Sequence, residues 1–572
     1  MKIKSLLLGM FACAALAACS NEDIVEGNGN GNEEGNAVPA YVSLSFTAKT
    51  TGDGRANNET PADPDDTGIN NDGTVKESQV KSLAVLIGNE VSEYYADVAT
   101  AFTKNNMGIY VSNAPYKVTA GTKDILVVLN PTAEIVAKYT PTKATATEIR
   151  EEIENGTYEN KSTFAAAING VTAEGEAFMM ANRQRVSVTA TDKNTVDNPV
   201  IAEVNVERCV AKFTFRTTND NQYPVTVTTV KSTLVNQEIK GTTYYKAKDA
   251  NDMTVWYTLK EGNEVDVVYA IDGDNVQVLT RWNGTGLQPT NSYALPEGKT
   301  LTYMKEDIKT DNKLTITLEG YYLSNLQNKM YNVRHISSNG TSGSAFGLLN
   351  GSNYLFDPYF TDKNATNVAN PEYDYSQLFF NPYVSLTTNA MFTSMPTGEG
   401  STSSDSKNVG SFMSYCFENA AISNMQKHGY STSITFKAVA RFADNKTFNG
   451  YIYNNVYYAT LEDCQKANPG VEDTEIAQFE NGVCYYTTQI KHLDNNMANA
   501  MGNMEFAVVR NNIYSLAVST LKNIGTAYID GNDPTQKDQP NKPDIDDETG
   551  EGNIQLNVKI IPWVVRYNNI EF

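Results

Sequence analysis

Catalysis needs reactive groups at workable spacings, and this chain offers few. Its three histidines, His335, His428 and His492, form no HExxH pair and no other metal-ligand spacing. Each reads as a surface or turn histidine. The six cysteines include no CxxC. Carboxylates are plentiful but fall in loops, as at Asp63-Pro64-Asp65-Asp66, with no pair set for acid and base work. Asp530-Gly531-Asn532-Asp533 lacks the spacing and terminal glutamate of a calcium loop and reads as a solvated turn. The run GNGNGNEEG imitates a phosphate-binding loop, yet no strand precedes it and no helix follows. The expectation is a protein that is not an enzyme, with no catalytic residue, no cofactor and no metal. Two residues remain on which chemistry would be done by others. One is the thiol of Cys19. The other is Arg55, in TTGDGRANNETPADPDD, where an exposed polar loop gives a trypsin-like protease the unstructured chain it needs around the Arg55–Ala56 bond. Composition alone also fits a plain solvated loop residue there.

The setting of Cys19 is more specific. Lys2 and Lys4 precede an apolar run from Leu6 to Ala18, too short to span a bilayer and shaped like a secretory signal. Leu16-Ala17-Ala18-Cys19-Ser20 resembles the lipobox of a bacterial lipoprotein, in which the cysteine thiol takes a diacylglyceryl group and the mature protein carries palmitate-type acyl chains. An ordinary signal peptide with an incidental cysteine is the other reading. Asn21, Glu22 and Asp23 are similar to the surface-export signal of Bacteroidales lipoproteins.

Two strand patterns flank the chain. After a Gly, Asn and Glu spacer, Tyr41 to Thr47 alternates with Val42, Leu44 and Phe46 on one face, and the segment with Arg55 follows directly. At the other end, Ile554, Leu556, Val558 and Ile560 alternate with polar residues up to Pro562, which lacks the donor a central ladder needs. Trp563, Val565 and Tyr567 continue the apolar run. The tract before Ile554 is polar and acid-rich, so an apolar strand ends a loose tether. Such a strand folds back on its own domain or adds to the sheet of another molecule. Loss of the segment from Cys19 to Arg55 would empty the groove holding Val42, Leu44 and Phe46, and the tail of a neighbouring copy has a matching pattern. Burying four aliphatic side chains there is worth about 6–12 kcal/mol, at roughly 1.5–3 kcal/mol each.

A chain of 572 residues needs two or three domains. Helical patterns are few, at Pro131 to Tyr139 and at Thr145 to Glu154, where Ile149 and Ile153 lie four apart. Elsewhere short Val-, Thr- and Tyr-rich runs recur between Asn, Gly and Asp turns, a spacing that argues for β-sandwiches. A long strand gives way to TNDNQY near Asn219 to Tyr223, the expected domain boundary. The net charge of −22 argues against nucleic acid, whose phosphates demand basic surface. Of the cysteines beyond the leader, Cys464 and Cys484 could close a hairpin-like loop as a disulfide; alternatively Cys209, Cys416, Cys464 and Cys484 are all buried thiols.

Several of these residues carry a likeness. Val509-Arg510-Asn511-Asn512-Ile513-Tyr514, then Lys522-Asn523-Ile524-Gly525, an acidic tether and Ile561-Pro562-Trp563 resemble the Mfa-type major subunit of minor fimbriae, a Bacteroidales type V pilin of the fimbrillin family. Val204-Asn205-Val206-Glu207-Arg208 with Val210-Ala211, Lys123 to Asn130 and Met179-Met180 also match; Tyr223 to Met504 matches only loosely. The resemblance implies a mainly β fold of two transthyretin-like β-sandwich domains with a few short helices and an extended C-terminal donor strand. It implies a lipoprotein signal over 1–19, a propeptide over 20–55 with a placeholder strand at 41–47, domains over 56–220 and 221–529, a tether over 530–553 and a donor strand over 554–572. It further implies lipidation at Cys19, display on the outer membrane and cleavage after Arg55 by an Arg-specific protease. Strand exchange would then yield an extracellular homopolymer that joins accessory anchor and tip subunits and supports adhesion and biofilm formation. A surface glycan-binding lipoprotein, consistent with 33 tyrosines, and a fimbrial tip adhesin are the alternatives.

Overall fold

The computed structural model describes residues 38–47, 77, 79–105, 108–141, 143–159, 178–260, 265–290, 301–347, 353–364, 366–367, 370, 378–380, 392–396, 410–420, 430–492, 504–529 and 554–562. The fold is mainly β, with a few short helices, as the turn spacing predicts. The N-terminal sandwich runs in strand order Val91–Tyr95, Leu83–Ile87, Gly121–Leu129, Met180–Asn182, Val200–Arg208, Pro39–Thr47, Tyr110–Ser112 and Phe102–Lys104. Val186–Ala190 pairs with Gly121–Leu129, and Tyr116–Thr119 with Pro39–Thr47. Leu83–Ile87 is buried along its whole length because it lies between two cores. Leu83, Val85 and Ile87 face the sandwich interior, while Ala84 and Leu86 face a second core with Ile135, Tyr139, Ile149 and Ile153. A continuous apolar run is what a strand covered on both faces requires.

Those last four residues lie on the two expected helices. Ala133–Tyr139 starts at Thr132, whose hydroxyl accepts from Ile135 N. Ala146–Asn155 starts with a reciprocal pair in which the Thr145 hydroxyl accepts from Glu148 N and the Glu148 carboxylate accepts from Thr145 N. Two N–H groups at the helix start are thereby satisfied, and Ile149 and Ile153 are turned into the core.

Beyond Val200–Arg208 the chain crosses at Cys209 and Val210 into a second body. Ala211–Phe215 joins a four-stranded sheet ordered Ser411–Cys416, Ala211–Phe215, Asn512–Leu521 and Ile554–Pro562. A sheet containing Gln222–Leu234, Lys305–Ser324, Ser433–Phe442 and Val483–Gln489 packs against it, with Phe213, Phe215, Tyr514 and Leu516 meeting Tyr223, Ile316, Phe436 and Tyr486 in one core. Gln222–Leu234 and Lys305–Ser324 form a long antiparallel ribbon, from Gln222 opposite Thr317 to Leu234 opposite Lys305. At its far end sits a third sheet built from strands between Asn236 and Tyr303, with its own small core of Ala247, Val255, Tyr257, Val268 and Leu301.

The structure decides between the two readings of the cysteines and corrects the reading of the histidines. Cys209, Cys416, Cys464 and Cys484 are free, buried thiols, so the Cys464–Cys484 disulfide is not formed. Burial pushes the Cys209 and Cys484 thiols up to about 12, which makes them poor nucleophiles. His335 and His492 are not surface histidines. The His335 ring stacks on Tyr331 at 3.8 Å between centroids, and His492 Nδ1 is 2.8 Å from the Tyr514 hydroxyl. An imidazole offers an apolar ring as well as polar nitrogens, so it buries where an aromatic face and a hydrogen-bond partner coincide. His428 lies outside the described residues.

Candidate functional site

The strand Pro39–Thr47 is an interior strand with neighbours on both edges. On one edge it runs parallel to Val200–Arg208, with Val42 opposite Val200, Leu44 opposite Ala202 and Phe46 opposite Val204. On the other edge Pro39 to Val42 pairs antiparallel with Tyr116 to Thr119, and Ser45 and Phe46 pair with Val111 and Tyr110. The gap between those two partners falls at Ser43 and Leu44. It is closed by the Ser112 hydroxyl, which accepts from Leu44 N at 3.1 Å and hydrogen-bonds the Ser43 hydroxyl at 2.9 Å.

Alternation puts every second residue on the inner face. Val42 and Leu44 are 0% exposed and Phe46 1%, as their period-two spacing predicts. Ala40 is a fourth buried residue on that face. Phe46 stacks on Tyr110 at 4.9 Å and tilts against Phe102 at 5.3 Å. Around these four lie Leu83, Val85, Ile125, Val127, Val204 and others of the same core. The groove is therefore the inside of the N-terminal sandwich. Phe46→Ala should destabilise the intact chain by about 3–5 kcal/mol, the usual cost of removing a buried aromatic ring. Thermal unfolding of the intact chain measures this, and an unchanged midpoint would mean that the strand bears no weight in the core.

The body is anchored separately just downstream. Glu77, the first described residue after Arg55, is buried: its carboxylate accepts from Lys212 Nζ at 2.8 Å and from the Tyr415 hydroxyl at 2.6 Å, and its carbonyl accepts from Arg208 Nε at 3.0 Å. Lys212 and Tyr415 belong to the C-terminal body and Arg208 to the N-terminal sandwich, so this clamp ties Glu77 to both bodies without using Pro39–Thr47. Burial, with the Glu77 carboxylate beside it, pushes the Tyr415 hydroxyl far above its ordinary range, which keeps it a neutral donor.

The tail strand Ile554–Pro562 lies at the edge of the four-stranded sheet. It runs antiparallel to Asn512–Leu521, with Ile554 opposite Leu521, Leu556 opposite Val518, Val558 opposite Leu516 and Ile560 opposite Tyr514. Ile554 is buried and Leu556 half-buried. Of the two fates open to such a strand, the structure shows this part folded on its own domain. Pro562 closes the ladder opposite Asn512, at an edge where a missing donor is tolerated. Cys19, Arg55 and Ala56, and Trp563, Val565 and Tyr567 of the tail, lie outside the described residues, as does the 530–553 tether.

Sequence reasoning found three of the four inward residues of Pro39–Thr47 and missed Ala40, Ser112 and Glu77. A methyl group adds little to an alternation pattern, and the other two act through partners remote in sequence. Among the described residues no group of three or more His, Cys, Asp or Glu side chains could hold a metal, and no helix is long and apolar enough to cross a membrane.

The chain resembles known proteins in two ways. In structure it is similar to a Parabacteroides distasonis protein described as a cell adhesion protein, at 13% identity and a TM-score of 0.38, covering 92% of this chain and 99% of that one. A fimbrilin (fimA) from Porphyromonas gingivalis W83 gives 11% identity and 0.34, covering 92% and 98%. The tip fimbrial protein Mfa3 from Porphyromonas gingivalis, with a C-terminal truncation, gives 13% and 0.22, covering 48% and 100%. No curated protein matches the sequence. Residues 477–569, which hold Asn512–Leu521 and the tail strand, match the family described as major fimbrial subunit protein type IV, fimbrillin, C-terminal.

Proposed function

We propose that this chain is a shaft subunit of a fimbrium that polymerises by exchanging one strand for another. The precursor is lipidated at Cys19 and displayed on the outer membrane. An Arg-specific protease cuts between Arg55 and Ala56, and the leader departs with its lipid. The tail of a neighbouring copy then takes its place through Ile554, Leu556, Val558 and Ile560, extended by Trp563, Val565 and Tyr567. Anchor and tip subunits end the resulting homopolymer, which serves adhesion and biofilm formation.

The observation that supports this reading is the position of Pro39–Thr47: an interior strand, buried along one face, that lies wholly upstream of Arg55. A strand there would ordinarily be indispensable, yet a single cut at Arg55 detaches it from the body that Glu77 anchors. The exchange has a favourable direction. On its own sheet the tail has a ladder on one edge only, whereas the leader slot offers ladders on both. Each added hydrogen bond contributes a net ~0.5–1.5 kcal/mol. Electron microscopy of the full chain after limited trypsin treatment tests the reading: filaments are expected, and single particles with the leader cleanly removed would overturn it.

A further inference from the structure

A group of three polar side chains in the C-terminal body plays no part in strand exchange. Lys363 Nζ lies 2.6 Å from Asp357 Oδ2, 2.6 Å from Asn419 Oδ1 and 2.8 Å from the Ala420 carbonyl oxygen. Lys363 and Asp357 side chains are both fully buried, and Asn419 is buried with them. The apolar residues Leu355, Ala420, Met504, Ala507 and Val509 form a core cluster alongside. Water is thus kept from an amine, a primary amide and a carboxylate already in contact.

Each group is held in one orientation. The Asn419 amide nitrogen donates to Asn325 O at 3.2 Å, Tyr430 O at 3.0 Å and Thr432 Oγ1 at 3.0 Å, which directs its oxygen at Lys363. The main chain of Asn419 is pinned too, since it exchanges two hydrogen bonds with Val508. Asp357 Oδ1 accepts from Gln327 Nε2 at 3.0 Å and Tyr359 N at 2.9 Å, and Oδ2 accepts from Ala420 N at 2.7 Å. A buried ion pair serving stability alone needs no carboxamide at its cation, and such pairs return little net stability for the desolvation they cost.

We propose that Lys363 and Asn419 form an intramolecular isopeptide bond, with Asp357 carrying the protons. Asp357 takes one proton from the Lys363 ammonium, and the freed electron pair of Nζ forms a bond to Asn419 Cγ. Asp357 returns that proton to Nδ2, the Cγ–Nδ2 bond breaks, and ammonia leaves with the bonding pair as the carbonyl re-forms. Nζ, now an amide nitrogen, gives up a second proton through Asp357 to the ammonia, which departs as ammonium. No oxidant, metal or external reagent enters the balance. Burial favours the first step by lowering the Lys363 pKa, against the pull of Asp357. Fixed contact supplies the rest, because held reactants behave as if at very high concentration. The bond would join the Asp357 to Lys363 loop to a residue bridged to Val508, close before Asn512–Leu521 on which the tail strand lies.

Mass spectrometry of the full chain, denatured and digested with trypsin, tests the proposal. The Lys363 and Asn419 peptides are expected as one branched species, lighter than their sum by one ammonia, with no cleavage after Lys363. Two separate peptides of unaltered mass, with trypsin cutting after Lys363, would overturn it. In Asp357→Asn, nearly the same size, the branched species should be lost while Lys363 and Asn419 remain. A branched species surviving in that variant removes Asp357 from the reaction. Should Asp357→Asn fail to fold, the digest of the unaltered chain still decides whether the bond exists.

Discussion

Arg55→Ala should leave a folded, lipidated precursor that forms no heat-resistant ladder on a gel, with polymer yield reduced to background. The physical reason lies in the slot that Pro39–Thr47 occupies. Ala40, Val42, Leu44 and Phe46 are all buried in the N-terminal core, and both strand edges are paired. Four buried apolar side chains hold the strand by on the order of several kcal/mol, and while it remains joined to the body its effective concentration at the groove is far above that of any neighbour's tail. A competing strand therefore loses on both counts. Cutting the chain leaves the first term in place and abolishes the second, so a displaced leader diffuses away and does not return. The measurement is a comparison of unaltered and Arg55→Ala protein after the same protease exposure, by gel after heating in detergent and by size exclusion. Normal ladders from the variant would show that cleavage elsewhere, or none, releases the groove.

What could be read from the sequence followed the range of the physics involved. The alternation Val42, Leu44, Phe46 was legible because one face of that strand is apolar and the other largely polar, and period two is a local property. The helix at Ala146–Asn155 was legible for the same reason, since Thr145, Glu148, Ile149 and Ile153 sit within two turns. The ribbon of Gln222–Leu234 and Lys305–Ser324 was legible only at its near end, where Val-, Thr- and Tyr-rich runs fall. Residues Lys305 to Asp311 are exposed, so the far end of the ribbon carries charge on both faces and reads as a loop until its partner is known. The third sheet hangs on that ribbon and was lost with it. The parallel register of Val42 with Val200, and the contacts of Glu77 with Lys212 and Tyr415, depend on pairings between distant segments. Buried charges also ran against expectation. Arg208 and Arg510 are completely enclosed, Arg510 paired with Glu418 at 2.7 Å and hydrogen-bonded to the Tyr331 carbonyl. Nothing in a sequence distinguishes an arginine that finds such partners from one that meets water.

Deleting Ile554 to Phe572 should give a monomer that folds, is cut at Arg55 and never extends. Folding should survive because the tail is an edge strand. Its removal uncovers one edge of Asn512–Leu521 but leaves that strand paired in parallel with Ala211–Phe215, and leaves Tyr514 and Leu516 in the central core. The described apolar loss is confined to Ile554, with Leu556 half-buried, so a modest stability cost of about 2–4 kcal/mol is expected from that burial. Extension, by contrast, should stop altogether, since the truncation removes Ile554, Leu556, Val558 and Ile560, the side chains proposed to fill the neighbour's groove. The uncovered edge also makes a second outcome diagnostic. A bare strand edge recruits partners indiscriminately, so truncated protein that associates should give irregular aggregates dispersed by heating in detergent, unlike a shaft joined by a buried strand. Mixing settles the direction of the exchange: cleaved, truncated subunits keep an open groove and should cap filaments of the full chain at one end, shortening them in proportion to the amount added. Filaments of unchanged length would place the donor elsewhere in the chain, and regular heat-resistant filaments from the truncated protein alone would remove the tail from assembly.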